Sequence, residues 1–280
     1  MKVLVTGFNG QLGYDVVKQL EKRQIECQGV DVADFDLTDI VGVSDYILQY
    51  QPTIVVHCAA FTAVDRSEDD KKLSYAVNVT GTENIAQICK IIDATMMYIS
   101  TDYVFDGEGD QPFEIDSPKA PKGQYGLTKS LGEDKVRETL DKYFIVRTAW
   151  VFGFNGNNFV KTMIRLGQEK SELTVVADQY GSPTYTYDLA ILLCDMIMTK
   201  KFGIYHATNE GYCSWFDFAC QIMIDAGLKT SVKPVTSDQY PTKAVRPKNS
   251  RLSKTSIDHA GFNRLPSWQD ALQRYLIELQ

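Results

Sequence analysis

The chain has 280 residues, 44% hydrophobic and 23% charged, with a net charge of −7. That length and balance suit one large or two small globular units with a sizeable core. The acidic balance argues against general binding to nucleic acid or to an anionic membrane, because both select for basic surfaces.

Short apolar runs alternate with longer helical patterns along the first half. "KVLVT" reads as a strand, followed by a helix from about Gln11 to Lys22, and "IECQGV" as a second strand. "VGVSDYILQY" reads as a helix, "TIVVHCA" as a third strand, and a long helix is expected from about Lys71 to Ile92. The strand "TMMYIS", a helix from about Tyr125 to Leu140 and the strand "YFIVRTA" complete this rhythm. Strands alternating with helices imply βαβ units, and right-handed crossovers then give an α/β fold with a doubly wound parallel sheet of the Rossmann kind. Past Trp150 the rhythm loosens. Helical patterns near 158–169, 186–199 and 215–226 are separated by the strand-like "LTVVA" and "GIYHAT". Residues 236–256 read as loop, and a last helix runs from about Trp268 to Leu279. The expected organisation is a dinucleotide-binding body over 1–150 and a smaller C-terminal substrate lobe over 151–280 that partly completes the sheet.

The six cysteines form no C-x-x-C pair and fall mostly in apolar runs, so they read as buried free thiols. The three histidines are too scattered in sequence to suggest a metal cluster, and His57 within "TIVVHCAA" reads as a core residue. The opening "MKVLVTG" is too short for a signal-peptide apolar region, and no stretch reaches the length of a membrane span. The expected location is therefore cytoplasmic, with no membrane and no nucleic-acid partner.

"VTGFNGQLG" places Gly7, Gly10 and Gly13 between the first strand and the first helix. Glycine permits the tight turn and lets backbone approach a pyrophosphate, while the helix N-terminus offers free N–H groups. This context predicts a dinucleotide site. Asp31, at the end of the second strand, is placed to bond adenosine ribose hydroxyls. No lysine or arginine lies between Asp31 and Ile40 to meet a 2′-phosphate, which leans toward NADH, with NADPH left open. In "HCAAFTAVD", the small Ala59 and Ala60 let backbone approach a ligand at the carboxyl edge of the sheet.

Two tyrosine–lysine pairs share a four-residue spacing, Tyr14–Lys18 and Tyr125–Lys129, and each lies on one helical face. The first follows the glycine loop on a helix whose later turns run away from the site, so it reads as a surface or packing pair. The second opens a helix after "YISTDYVFDG", whose strand ends at Ser100–Thr101. A hydroxyl there and a tyrosine from the next helix can converge on one substrate oxygen. Reduction of a carbonyl needs a hydride, a proton and something to hold the oxygen as charge develops. A neighbouring ammonium is expected to move the phenol, ordinarily near ~10, toward the working pH.

On "VTGFNGQLG", "DFDLTD", "HCAAFTAVDRSE", "VNVTGTENIA", "STDYVFDG", "YGLTKSLGE", "VRTAWVFG", "NNFVKTMIRL", "DQYGSPT" and "RPKNSRL", the chain resembles the extended short-chain dehydrogenase/reductase superfamily. Within it the chain is similar to the dTDP-4-dehydrorhamnose reductase family over nearly its whole length. The resemblance implies NADPH- or NADH-dependent reduction of a dTDP-4-keto-6-deoxy sugar, with Thr101, Tyr125 and Lys129 as catalytic residues. It implies pyrophosphate contacts at Gly10, Gln11 and Leu12, an adenine-side pair at Asp36 and Leu37, and an inner cofactor loop at Ala60, Phe61 and Thr62. Tyr125 and Lys129 also touch the cofactor in this reading, and Thr101, Asp102, Tyr125 and Trp150 touch the sugar. Some family members dimerise around magnesium held by carboxylates. Asp15 and Glu278 match two of those ligands, but the third aligns with Tyr187, so no metal is expected and the chain is a monomer or a homodimer. Other functions left open are a reductase, epimerase or dehydratase of another nucleotide deoxysugar, and a non-catalytic dinucleotide-binding subunit. A dehydratase typically follows the threonine with two acids, whereas Thr101 is followed by Asp102 and Tyr103.

Overall fold

A computed structural model describes residues 1–280. In chain order the elements are β1 (Lys2–Thr6), α1 (Gln11–Lys22), β2 (Glu26–Val30), α2 (Ile40–Tyr50), β3 (Ile54–His57), α3 (Val64–Asp69), α4 (Lys71–Tyr75), α5 (Thr82–Ile91), β4 (Thr95–Thr101), α6 (Gln124–Thr139) and β5 (Tyr143–Thr148). There follow β6 (Val151–Phe152), α7 (Phe159–Glu169), β7 (Glu172–Val176), β8 (Tyr180–Gly181), β9 (Thr184–Tyr185), α8 (Thr186–Ile197), β10 (Gly203–His206), β11 (Cys213–Ser214), α9 (Trp215–Asp225), β12 (Ser231–Val235), α10 (Thr255–His259) and α11 (Trp268–Glu278).

Six strands form one parallel sheet in the order β2-β1-β3-β4-β5-β10. Their side chains alternate between two apolar layers, as a sheet covered on both faces requires. Val3, Val5, Val56, Met97, Phe144 and Val146 pack with α1 and α8, whereas Leu4, Val55, Met96, Tyr98 and Ile145 pack with α2, α5 and α6. The chain leaves β1 toward β2 on one side and returns to β3 on the other. The β1–β3 boundary is therefore the switch point, where loops diverge and a crevice opens.

The second half threads back and forth. α8 and β10 join the sheet's core, while α7, α9, α11 and the short strand pairs β6–β9 and β7–β12 enclose a separate apolar cluster around Phe152, Phe218, Trp268 and Tyr275. Capping side chains start these helices: Asn158 accepts from Lys161 N, and Ser214 forms a capping box with Asp217. No helix is long and apolar enough to cross a membrane.

Two expected elements differ. The helix anticipated over 71–92 is α4 and α5 joined by a π-helical stretch, Ala76–Gly81. The loop anticipated over 236–256 contains a short 3₁₀ turn, Ser237–Gln239, and ends in the start of α10.

Asp15 of α1 is 1% exposed and faces α8, where the Thr186 hydroxyl donates to its carboxylate. Burial pushes this carboxyl up to about 6 from its ordinary 3.8; the Thr186 bond opposes the shift, and the Glu278 charge adds to it. A raised acid favours the protonated folded form. Its contribution to stability is full below the unfolded pKa and is lost as pH rises through about 6. Asp15→Asn keeps an acceptor for Thr186 and removes the ionisation. It is expected to unfold later than the parent at pH 7.5 by on the order of 2 kcal/mol, and to show no difference near pH 4. Urea unfolding across pH checks this.

Candidate active site

The glycine turn is built on backbone contact. Gly7 has φ +69°, and a Cβ there would lie 2.7 Å from Ala59 N. A Cβ on Gly13 would stand 2.3 Å from Gly7 O, while Gly10 N donates to Gly7 O at 3.0 Å. Only glycine at 7 and 13 lets the turn after β1 close against the loop after β3 and leaves the N-terminus of α1 open to a ligand.

The cleft so formed has a volume of about 740 Å³. It is lined by Gly7, Gly10, Gln11, Leu12, Gly13, Asp31, Ala59, Ala60, Thr62, Thr101, Asp102, Tyr125, Lys129 and Trp150. Asp36, Leu37 and Phe61 line an adjoining, mostly apolar pocket of about 230 Å³, which shares Gly7, Asp31, Ala59 and Ala60 with the cleft. All the residues singled out from sequence thus border one continuous hollow across the switch point. Tyr14 and Lys18 do not. Lys18 Nζ lies over the Tyr14 ring at 4.5 Å and the Phe154 ring at 5.7 Å, a packing cluster on the outer surface of α1.

Several of these side chains are already engaged. Gln11 Oε1 accepts from Gly153 N at 2.9 Å and from Asn158 Nδ2 at 3.1 Å, so the side chain ties the glycine loop to the second half of the chain. Its backbone N–H, in the first turn of α1, is the part left to meet a pyrophosphate. The Asp31 carboxylate accepts from Asn9 N at 3.1 Å and Val32 N at 2.8 Å. Asp36 Oδ1 accepts from the Thr38 backbone and hydroxyl, both at 2.8 Å, which holds the 35–38 turn.

At the wall of the cleft past the switch point, Thr101 ends β4 beside Thr148 of β5, and Tyr125 and Lys129 project from the first turns of α6. The Thr101 hydroxyl donates to Asp102 Oδ1 at 3.0 Å and accepts from Tyr103 N at 3.3 Å. Asp102 is 3% exposed, and burial lifts its carboxyl to about 6. The Tyr125 phenol is raised well above its ordinary value, first by burial and then by the Asp102 charge, with the Thr101 hydroxyl opposing. Burial pulls Lys129 down to about 7, against the Glu133 charge.

One expectation is corrected here. The Tyr125 phenol is raised rather than moved toward neutral pH, and Lys129 makes no direct contact with it: its Nζ lies 4.0 Å from the centre of the Tyr98 ring, and no hydrogen bond joins it to Tyr125. The aromatic face beneath α6 draws the ammonium down, and desolvation dominates both groups.

Trp150 follows β5 with φ +51°, a left-handed backbone that bulky residues rarely adopt. Its indole stacks on Trp215 with centroids 3.7 Å apart, and a Cβ on Gly181 would meet it at 2.7 Å. Beyond it, a cavity of about 370 Å³ is bordered by Tyr103, Trp150, Phe159, Trp215 and Arg246.

Sequence reasoning missed the residues that hold these parts together. Asn78, in the π-helical stretch, accepts from Phe61 N at 2.7 Å and donates to Phe61 O at 3.2 Å and to Thr128 Oγ1 at 3.0 Å. The extra residue of the π turn aims this amide at the inner loop. α3 is a second junction. Glu68 Oε1 accepts from Gln124 N at 2.7 Å and so caps α6. Asp65 accepts from Arg246 Nη2 at 2.5 Å and Ala244 N at 3.0 Å, and Arg246 Nη1 donates to the Tyr103 hydroxyl at 3.1 Å. "VNVTGT" and "RPKNSRL" carry Asn78 and Arg246, but neither motif says which loop its side chain binds.

The carboxylates weighed as metal ligands are each engaged by a hydroxyl. Thr186 donates to Asp15, Tyr185 donates to Glu278, and Tyr187 stacks on Tyr185. No group of three or more His, Cys, Asp or Glu side chains gathers where an ion could be held.

A family model described as RmlD substrate binding domain matches residues 1–280. The chain is 44% identical over 277 residues to the spore coat polysaccharide biosynthesis protein SpsK of Bacillus subtilis (strain 168), covering 99% of this chain and 97% of that protein. It is 40% identical to a dTDP-4-dehydrorhamnose reductase of Streptomyces griseus, covering 96% and 91%. The crystal structure of dTDP-4-dehydrorhamnose reductase from Bacillus anthracis in complex with NADP superposes with a TM-score of 0.97 at 42% identity, covering 99% of this chain and 100% of that one.

Asn78→Ala strands two part-buried backbone groups of Phe61. It is expected to destabilise the protein by ~1–3 kcal/mol and to weaken dinucleotide binding about tenfold, as thermal unfolding and NADPH fluorescence titration would show. Because Asp31 and Asp36 border the adenine-side pocket and no lysine or arginine lines it, a 2′-phosphate gains no ion pair there. NADH is expected to bind at least as tightly as NADPH when the two are titrated side by side.

Proposed function

The chain belongs to the family of the RmlD substrate binding domain, shared with the dTDP-4-dehydrorhamnose reductases, and on that premise we propose that it reduces the 4-keto group of dTDP-4-dehydro-L-rhamnose to give dTDP-L-rhamnose. The observation that carries this reading is the convergence of Thr101, Tyr125 and Lys129 on one cleft wall, with the aromatic cavity opening beside them.

The bound nicotinamide supplies the hydride to C4. Tyr125 gives its phenolic proton to O4, so the ketone becomes a secondary alcohol and the tyrosine a phenolate. The raised phenol keeps its proton until the oxygen carries negative charge. Lys129 holds the nicotinamide ribose, and its ammonium offsets the charge left on the phenolate. Thr101 bonds the same oxygen once its hydroxyl turns from Asp102. The apolar side of the deoxysugar meets the indole of Trp150, whose other neighbour is Trp215. Aromatic walls and Arg246 in the adjoining cavity suit a thymine and a diphosphate.

Tyr103 stands where an eliminating enzyme needs a second acid, and its hydroxyl accepts from Arg246, which favours reduction over dehydration. A nucleotide-sugar substrate suits a cytoplasmic enzyme, acting as a monomer or a homodimer that supplies a donor for polysaccharide synthesis.

Mixing the protein with dTDP-4-dehydro-L-rhamnose generated in situ is expected to oxidise NADH or NADPH, read at the nicotinamide absorbance. No oxidation of either, by a folded sample that binds dinucleotide, defeats this reading. Tyr125→Phe is expected to lower kcat by roughly 10²–10⁴ while dinucleotide binding persists.

A further inference from the structure

A buried ion pair lies beneath the cleft, and no step of the proposed reaction uses it. Glu133 and Arg147 are 0% and 2% exposed. They meet at two points, Arg147 Nε to Glu133 Oε1 and Nη2 to Oε2, each at 2.8 Å. Ser100 Oγ donates to Oε1 at 2.6 Å, and Lys119 Nζ lies 3.8 Å from Oε2. Arg147 Nη1 donates to Ile115 O at 2.9 Å and lies 3.3 Å from His206 Nε2. Ser100, Arg147 and His206 are register partners across β4, β5 and β10. Glu133 is four residues beyond Lys129 on α6, on the same helical face.

Burying two charges is costly, and an apolar pair often holds a helix to a sheet as well or better. A charge pair kept at this depth calls for an electrostatic use, and Lys129 provides one. It is 2% exposed and has no carboxylate within salt-bridge distance. The other titratable groups around it are His57 and Cys58 at the end of β3, Tyr98 of β4, and Tyr125 of its own helix. Burial pushes His57 down to about 3 and raises Cys58, Tyr98 and Tyr125, so all four are neutral near pH 7. Asp102 bears on Tyr125. Glu133 is the carboxylate whose charge bears on Lys129, and Arg147 and Ser100 satisfy its oxygens.

We propose that Glu133, clamped by Arg147 and Ser100, is a positioning residue for Lys129: from one helical turn below, it supplies the negative charge that keeps the ammonium protonated at the cleft floor. The proposal rests on the role given to Lys129 above and adds the residue through which that role is maintained.

Wild type, Glu133→Gln and Glu133→Asp are compared from pH 6 to 9 for NADPH binding by fluorescence and for kcat with the dTDP sugar. In the Gln variant the alkaline limb of both profiles is expected about one pH unit lower, with kcat at pH 8 down about tenfold and the sugar KM little changed. The Asp variant is expected to return the limb toward wild type. A limb that stays in place in a folded Gln variant, with only thermal stability lost, overturns the proposal. Where the single Gln variant does not fold, Glu133→Gln/Arg147→Met removes both charges together. A displacement in the same direction but smaller is expected there, because the Arg147 charge that opposes the ammonium is removed as well, and no displacement at all overturns the proposal. If the reductase reading itself fails, wild type oxidises no NADPH with the sugar, while the binding profile still reports on Lys129.

Discussion

The backbone contact between the turn after β1 and the loop after β3 governs everything built above the sheet. Gly7, Gly13 and Ala59 approach so closely that no side chain fits between them. The contact joins the two strands at the point where the chain changes direction. It aims the start of α1 and the inner loop at the same space, and so creates one crevice from two diverging loops. The far wall of the cleft is then reached by simple succession: β4 and β5 add on the far side, and α6, which connects them across the sheet face, begins at their carboxyl edge.

A second layer of contacts makes this crevice rigid. Asn78 treats Phe61 as a strand neighbour would, pairing with both its N–H and its C=O, and carries the link on to Thr128 in α6. α3 caps that helix through Glu68 and grips the 244–246 segment through Asp65. Gln11 does the same for the 153–158 turn. These are polar side chains bonded to backbone or to one another, and together they fix loop positions that hydrophobic packing alone would leave free.

The parallel sheet, its order of elements and the set of cleft residues were legible in the sequence, because each rests on a local pattern. Apolar runs of strand length mark β1, β3, β4 and β5, glycines mark the turn, and a motif match marks Thr101, Tyr125, Lys129 and Trp150. What could not be read depends on distance through space. The π turn at Ala76–Gly81 has ordinary helical composition, and only the nearness of Phe61 explains it. Gln11 looks like a ligand contact in sequence, yet its side chain faces residues more than a hundred positions away. The Tyr125–Lys129 spacing suggested that lysine acidifies tyrosine. Burial of both groups and the Tyr98 ring, invisible in a four-residue motif, decide the matter otherwise.

Trp150 shows how such constraints interlock. A left-handed backbone at a non-glycine residue costs of order 1–3 kcal/mol, which the surroundings must offset. Here they do so through the stacked indole of Trp215 and the bare backbone of Gly181. Residues 150, 181 and 215 therefore behave as one mutational unit. Glycine at 150 would relax the chain but delete the indole, and any side chain at 181 would expel it. Substitutions in this corner are therefore coupled: the effect of changing any one of the three positions depends on what stands at the other two.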